Sequence, residues 1–186
     1  AEVLQYIADG IKIKAAEADA MYAGIVIDTN NFTNQTGVRT FEAAAFLRRN
    51  GADVTRVRKL FRDDMQDYKA RAAAISSAEI YREAFSIGVC PSEGLPSPTI
   101  VCAQAANELL EIKGIKASVV MTEYHGLIYL SARSIDEVNV QVMMEKLGGG
   151  GHRTIAGAQL SGISMEEAKD RVKAVIDEML QKGDIS

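Results

Sequence analysis

Apolar residues recur along this chain with two periods, and the switches between them mark out its elements. Val3, Leu4, Ile7 and Ile11 stand at helical spacing with polar residues between them, which predicts an amphipathic helix running to about Asp19. The next stretch, "YAGIVIDTNNF", is a short apolar run closing on polar residues, and it predicts a strand buried on both faces, as in a parallel sheet. Thr40 is placed to cap a helix over "TFEAAAFLRRN", with Glu42 in its first turn at the positive end of the dipole and Gly51 to stop it. "DVTRVRKLF" reads as another short strand. Met65, Tyr68, Ala72 and Ile75 then mark an alanine-rich connector helix from Asp63 to about Ala78.

Beyond the connector, "EIYREAFSIGVC" predicts a strand. The proline-rich loop "PSEGLPSP" ends with Ser97 as a cap and Pro98 at the first position of a helix reaching about Ile112. "KASVVMTEYHGLIYLSAR" predicts an antiparallel hairpin turning at Tyr124 to Gly126. In "SIDEVNVQVMMEKL", Ser134 and Glu137 have capping-box spacing, and Val140, Met143, Met144 and Leu147 fall on one helical face. "AGAQLSG" predicts a last strand. Ser164 and Glu167 form a second capping box before a helix whose apolar face holds Ala168, Val172, Val175, Ile176, Met179 and Leu180. The order predicts an α/β fold in two unequal parts joined near residues 57 to 78.

Composition adds bounds to this outline. A length of 186 residues with 47% hydrophobic and 25% charged content suits one domain or two small ones with a real core. With 21 basic against 25 acidic residues the net charge is -4. That excludes a broad electrostatic footprint for duplex DNA and leaves room for a small anionic ligand. Cys90 and Cys102 sit in apolar settings without zinc or disulfide spacing, and read as buried thiols in a reducing compartment. No stretch is long and apolar enough to span a bilayer, and no secretory signal pattern is visible. The opening "AEVLQYIADGI" reads as the middle of a helix, so a piece of a longer chain is expected.

Three places carry candidate chemistry. Asp28 ends the expected strand, where ligands of parallel sheets collect and where a hard cation would find an oxygen, although a carboxylate there also serves as an ordinary turn residue. Arg133 follows a strand and precedes a helix start, which suits a phosphate or a planar base edge as well as it suits a plain surface arginine. His152 follows four glycines. One glycine is enough to end a helix, so the run suggests a ligand lying against bare backbone. His125 and the "RVRKLFRDD" segment read as solvated, and the Met143 and Met144 pair as core packing. The glycines follow a helix and lack the spacing of a P-loop or a dinucleotide fingerprint.

Taken in order, "DTNNFTNQTGVRTFEAAAFLRR" (28 to 49), "SARSIDEVNVQVMMEKL" (131 to 147) and "GGGGHRTIAGAQL" (148 to 160) resemble the DHH/DHH-associated phosphoesterase superfamily, and most nearly its bacterial cyclic-di-AMP phosphodiesterases. The resemblance implies an α/β fold. Residues 1–56 would be the end of a parallel-sheet DHH lobe, 57–78 a connector helix region, and 79–186 a mixed-sheet DHH-associated lobe flanked by helices. It implies hydrolysis of cyclic-di-AMP to pApA at two metal ions, usually manganese. By position, Asp28 falls on the last metal-binding aspartate. Ser131, Arg133, Ser134, Gly149, Gly150, Gly151 and His152 fall on the substrate-binding motifs.

The family's earlier metal motifs, including the Asp-His-His triplet, have no counterpart in this sequence, so the chain is expected to bind nucleotide without turning it over. The resemblance also implies a cytoplasmic-facing segment of a protein anchored in the membrane through preceding segments, and it leaves room for a homodimer. Two alternatives stay open: an oligoribonuclease or pApA-degrading relative, and a nucleic-acid-binding module. A 6% aromatic content without tryptophan weighs against the second.

Overall fold

A computed structural model describes residues 1–7, 12–33 and 35–183 of the chain. It divides into two compact units, 1–63 and 64–186. Among the described residues no helix is long and apolar enough to cross a membrane.

The first unit is helical throughout its described residues: α1 (Leu4–Ile7), α2 (Ala15–Asp28), α3 (Val38–Arg49) and α4 (Val54–Leu60). The opening helix expected to reach Asp19 is therefore split, and Ile11 lies outside the described residues. Both strands expected here are helices instead. Ile25, Val26 and Ile27 extend α2, which starts in an alanine-rich stretch whose Glu17 accepts a hydrogen bond from the Lys14 backbone N–H at 2.9 Å. β-Branched residues cost a helix only tenths of a kcal/mol each, and among the described residues of this unit there is no strand to pair with. The segment after Asp53 is a helix because Asp53 caps it, accepting from the Arg56 N–H at 2.8 Å. Thr40 is not the cap of α3: the helix starts earlier, after Gly37, and Thr40 stands inside its first turn, where its hydroxyl accepts from the Gly37 N–H at 3.4 Å. Buried Asp19 ties the unit together: it accepts from Arg56 Nε at 2.6 Å and from the Asp53 N–H at 2.7 Å.

The second unit is a six-stranded mixed sheet with helices on both faces. Its elements are α5 (Met65–Ser76), β1 (Glu79–Tyr81), β2 (Phe85–Val89), α6 (Pro98–Leu109), β3 (Ala117–Tyr124), β4 (Leu127–Ser134), α7 (Val140–Glu145), β5 (Gly150–His152), β6 (Ile155–Ser161) and α8 (Met165–Lys182). The strand order is β1-β2-β3-β4-β6-β5, and only β2 and β3 run parallel, joined through α6. The single strand expected over 79–90 is two, because Arg82 and Glu83 both take left-handed φ and fold the chain back. Pro98 opens α6 as expected, and the hairpin turns at His125 and Gly126, both at positive φ.

Ser134 does not cap a helix. It ends β4, and the cap of α7 is Asn139, whose side chain accepts from the N–H groups of Gln141 and Val142. Ser164 caps α8 by accepting from the Glu167 N–H at 3.2 Å, while the Glu167 carboxylate turns to Arg171.

Alternation along the strands sorts the sheet's two faces. One face carries Phe85, Ile87, Val119, Met121, Ile128, Leu130, Ala156 and Ala158, packed under α7 and α8. The other carries Val120 and packs under α5 and α6 through Ala70, Ala74, Val101, Cys102 and Ala106. Cys90 and Cys102 are buried free thiols, as the apolar settings predict.

Candidate nucleotide-binding site

Helix α6 contacts β2, β3 and β4, and the same face of β6 and β5 carries the exposed residues Ile155, Gln159 and His152. The open part of the sheet is ordered by register. Ser131 pairs with Gly157, which pairs with Gly150; Arg133 pairs with Ile155, which pairs with His152. Directly opposed residues share a face, so Ser131, Arg133, Gly150 and His152 stand together on this surface. Arg133 and His152 are two strand spacings apart, about 10 Å between their backbones. Ser134 does not join them: it alternates to the far face from Arg133, its hydroxyl donates to the Val138 carbonyl at 2.6 Å, and it is buried.

Arg133 is held on two sides. Its Nε donates to Asn107 Oδ1 at 3.0 Å, and one terminal nitrogen donates to the Ala132 carbonyl at 2.8 Å. No carboxylate pairs with it among the described residues, and three of its five N–H donors are left for another partner. Burial pushes its pKa down, and the guanidinium remains charged. A half-buried cation without an acid is a ready anion site. The sequence did not point to Asn107, an asparagine in the last turn of α6 with no local pattern to mark it.

The four glycines have separate causes. Gly148 has φ +78° and lies just past α7, a position that disfavours side chains. At Gly149 a Cβ would lie 2.6 Å from the Cα of Ala158, and at Gly151, where φ is +149°, 2.5 Å from the Cα of Ala156. Both are glycine because β6 packs against them. A Cβ at Gly150 would meet nothing within 4 Å, and it would point to the open surface. The close approach inferred from the glycine run is thus in large part an approach of β6 itself.

Asp28 is the exposed last residue of α2, rather than the end of a strand. Among the described residues no three His, Cys, Asp or Glu side chains gather as a metal site would need. His125 is exposed in the hairpin turn, its ring 3.9 Å from that of Tyr124.

Residues 97–182 match the DHHA1 domain family. Over 184 residues the chain is 42% identical to the cyclic-di-AMP phosphodiesterase GdpP of Bacillus subtilis, covering 98% of this chain and 28% of that protein. It is 41% identical over 177 residues to the cyclic-di-AMP phosphodiesterase PdeA of Listeria monocytogenes, covering 95% and 27%. The chain therefore spans little more than a quarter of the length of these relatives. In fold it is similar to an exopolyphosphatase-related protein from Bacteroides fragilis, with a TM-score of 0.79 at 22% identity over 90% of this chain and 51% of that one. Residues 97–182 are a DHHA1 domain, and the chain belongs to the DHH/DHH-associated phosphoesterase superfamily.

Proposed function

We propose that this chain is the nucleotide-binding C-terminal part of a metal-dependent phosphodiesterase that hydrolyses cyclic-di-AMP to pApA. The observation that carries this reading is Arg133, half-buried, fixed by neutral partners and with no paired carboxylate among the described residues, on one sheet face with Ser131, Gly150 and His152. The names of relatives 41–42% identical over nearly the whole chain support the substrate.

Arg133 supplies N–H donors to phosphate oxygens, and His152 offers a second donor from the edge strand β5, beyond β6. Ser131 stands on β4 between Arg133 and the hairpin turn. Gly149, Gly150 and Gly151 serve through their backbone, with Gly150 alone open toward the ligand. Ser134 acts indirectly, by fixing the turn that follows Arg133.

Asp28 is the residue we assign to a metal ion, manganese by family habit. By itself it is one carboxylate, and the described residues do not complete a centre around it. No hydrolytic step is therefore assigned to this chain: it binds and orients nucleotide and is inactive alone. A manganese-dependent hydrolysis assay on cyclic-di-AMP is expected to show no turnover, and turnover would refute the assignment.

The test of binding is calorimetric titration with pApA and cyclic-di-AMP without metal. Arg133→Ala and His152→Ala are each expected to weaken binding tenfold or more, at about 1.5–3 kcal/mol per charge-assisted contact. Unchanged affinity in both variants would remove the site from this surface.

A further inference from the structure

Ile155 is a large aliphatic side chain, 54% exposed, on a strand bonded on both sides. Its exposure is not that of a sheet edge; it comes from the uncovered face. Its two cross-strand partners are Arg133 and His152, so it stands between the two side chains assigned to phosphate, with Cβ atoms about 5 Å away on either side. One exposed isoleucine alone would mean little. Its place in this row gives it meaning.

We propose that Ile155 is a specificity-determining residue, an aliphatic ledge on which the purine ring of the bound nucleotide rests. The inference builds on the nucleotide-binding reading above. A nucleotide joins an anion to a flat, weakly hydrated ring, and a row of donor, aliphatic surface and donor matches both parts at once. Inorganic phosphate or a polyphosphate chain would gain nothing from the aliphatic member. The neighbouring row leaves room for the ring, because the Cβ direction of Gly150 is empty to 4 Å. Gln159, exposed on the same strand two residues beyond Gly157, lies within that surface.

The experiment compares pApA with its abasic counterpart, the same 5′-phosphorylated sugar-phosphate chain lacking both bases. Both are titrated calorimetrically without metal into the wild-type chain and the Ile155→Thr variant. Threonine keeps the branched β-carbon and the strand preference, so the fold is retained.

The expected result is a loss of about 5- to 10-fold on pApA and less than about 2-fold on the abasic ligand, from the apolar area the ring no longer covers. Ile155→Leu should bind pApA as the wild type does. An equal loss on both ligands, or none, with Arg133→Ala still weakening both, overturns the role of Ile155 and leaves the nucleotide site standing. A wild-type chain that binds neither ligand overturns the site and this inference together.

Discussion

Alanine at Gly149 or Gly151 would push a methyl group into the backbone of β6, and at Gly151 it would also impose a positive φ on a side-chain-bearing residue. Each substitution is expected to cost about 2–4 kcal/mol, from overpacking and, at Gly151, backbone strain. Gly150→Ala should stay within about 0.5 kcal/mol of the wild type. Thermal melts of the three variants check this, and a Gly150 variant as unstable as the others would refute the division among the glycines. The two thiols give a second prediction at this scale. Burial raises Cys90 to about 11 and Cys102 to about 12, and Cys102 also donates to the Val120 carbonyl at 3.1 Å. At pH 8 about one thiol in a thousand or fewer is ionised. A thiol reagent should therefore label the folded chain slowly and both cysteines rapidly in denaturant; rapid labelling of folded protein would mean that α6 opens readily from the sheet.

Among the elements, α8 binds the second unit through both of its faces. Ile176 and Met179 are fully buried under the sheet, and truncating Ile176 to alanine should cost about 2–5 kcal/mol. On its outer side Glu178 takes hydrogen bonds from Lys182 at 2.6 Å and Lys146 at 2.9 Å, which hold its carboxyl down to about 2. A lowered carboxylate pKa stabilises the fold fully above the ordinary glutamate value near 4.5, and the contribution fades as pH falls toward 2. Wild type should therefore melt above Glu178→Gln at pH 7, and the gap should close between pH 4.5 and 2; a constant gap would assign the effect to packing.

The same helix shows why some elements were legible in the sequence. Ser164 and six apolar positions at helical spacing agree on α8, and Pro98 marks α6 equally well. Residues 25–27 carried the opposite signal, and the neighbouring alanines overrode it. Asn139, five residues after Ser134, caps α7 because β4 runs on to Ser134 through its pairing with β3, a long-range fact. Of the site, Arg133 and His152 were legible as single residues. Their shared face with Ile155 was not, because it depends on β6 lying between β4 and β5.

At the scale of the molecule the two units differ in what they bury. Among the described residues of 1–63 the buried hydrophobics are alanines plus Leu47 and Val57, whereas the second unit buries Phe85, Ile87, Met121, Met143, Met144 and Ile176 among many others. Hydrogen exchange should accordingly release the amides of α2, α3 and α4 well before those of β3, β4 and β6. Equal protection in both units would show that they open as one. The sheet of the second unit ends on β1 and β5, each three residues long. A strand from another molecule would find at either border a ladder too brief to hold it, and the described part of the first unit contains no strand at all. Borders this short disfavour edge-to-edge pairing between copies of the second unit, and they leave a crowded solution little backbone template from which to build fibres.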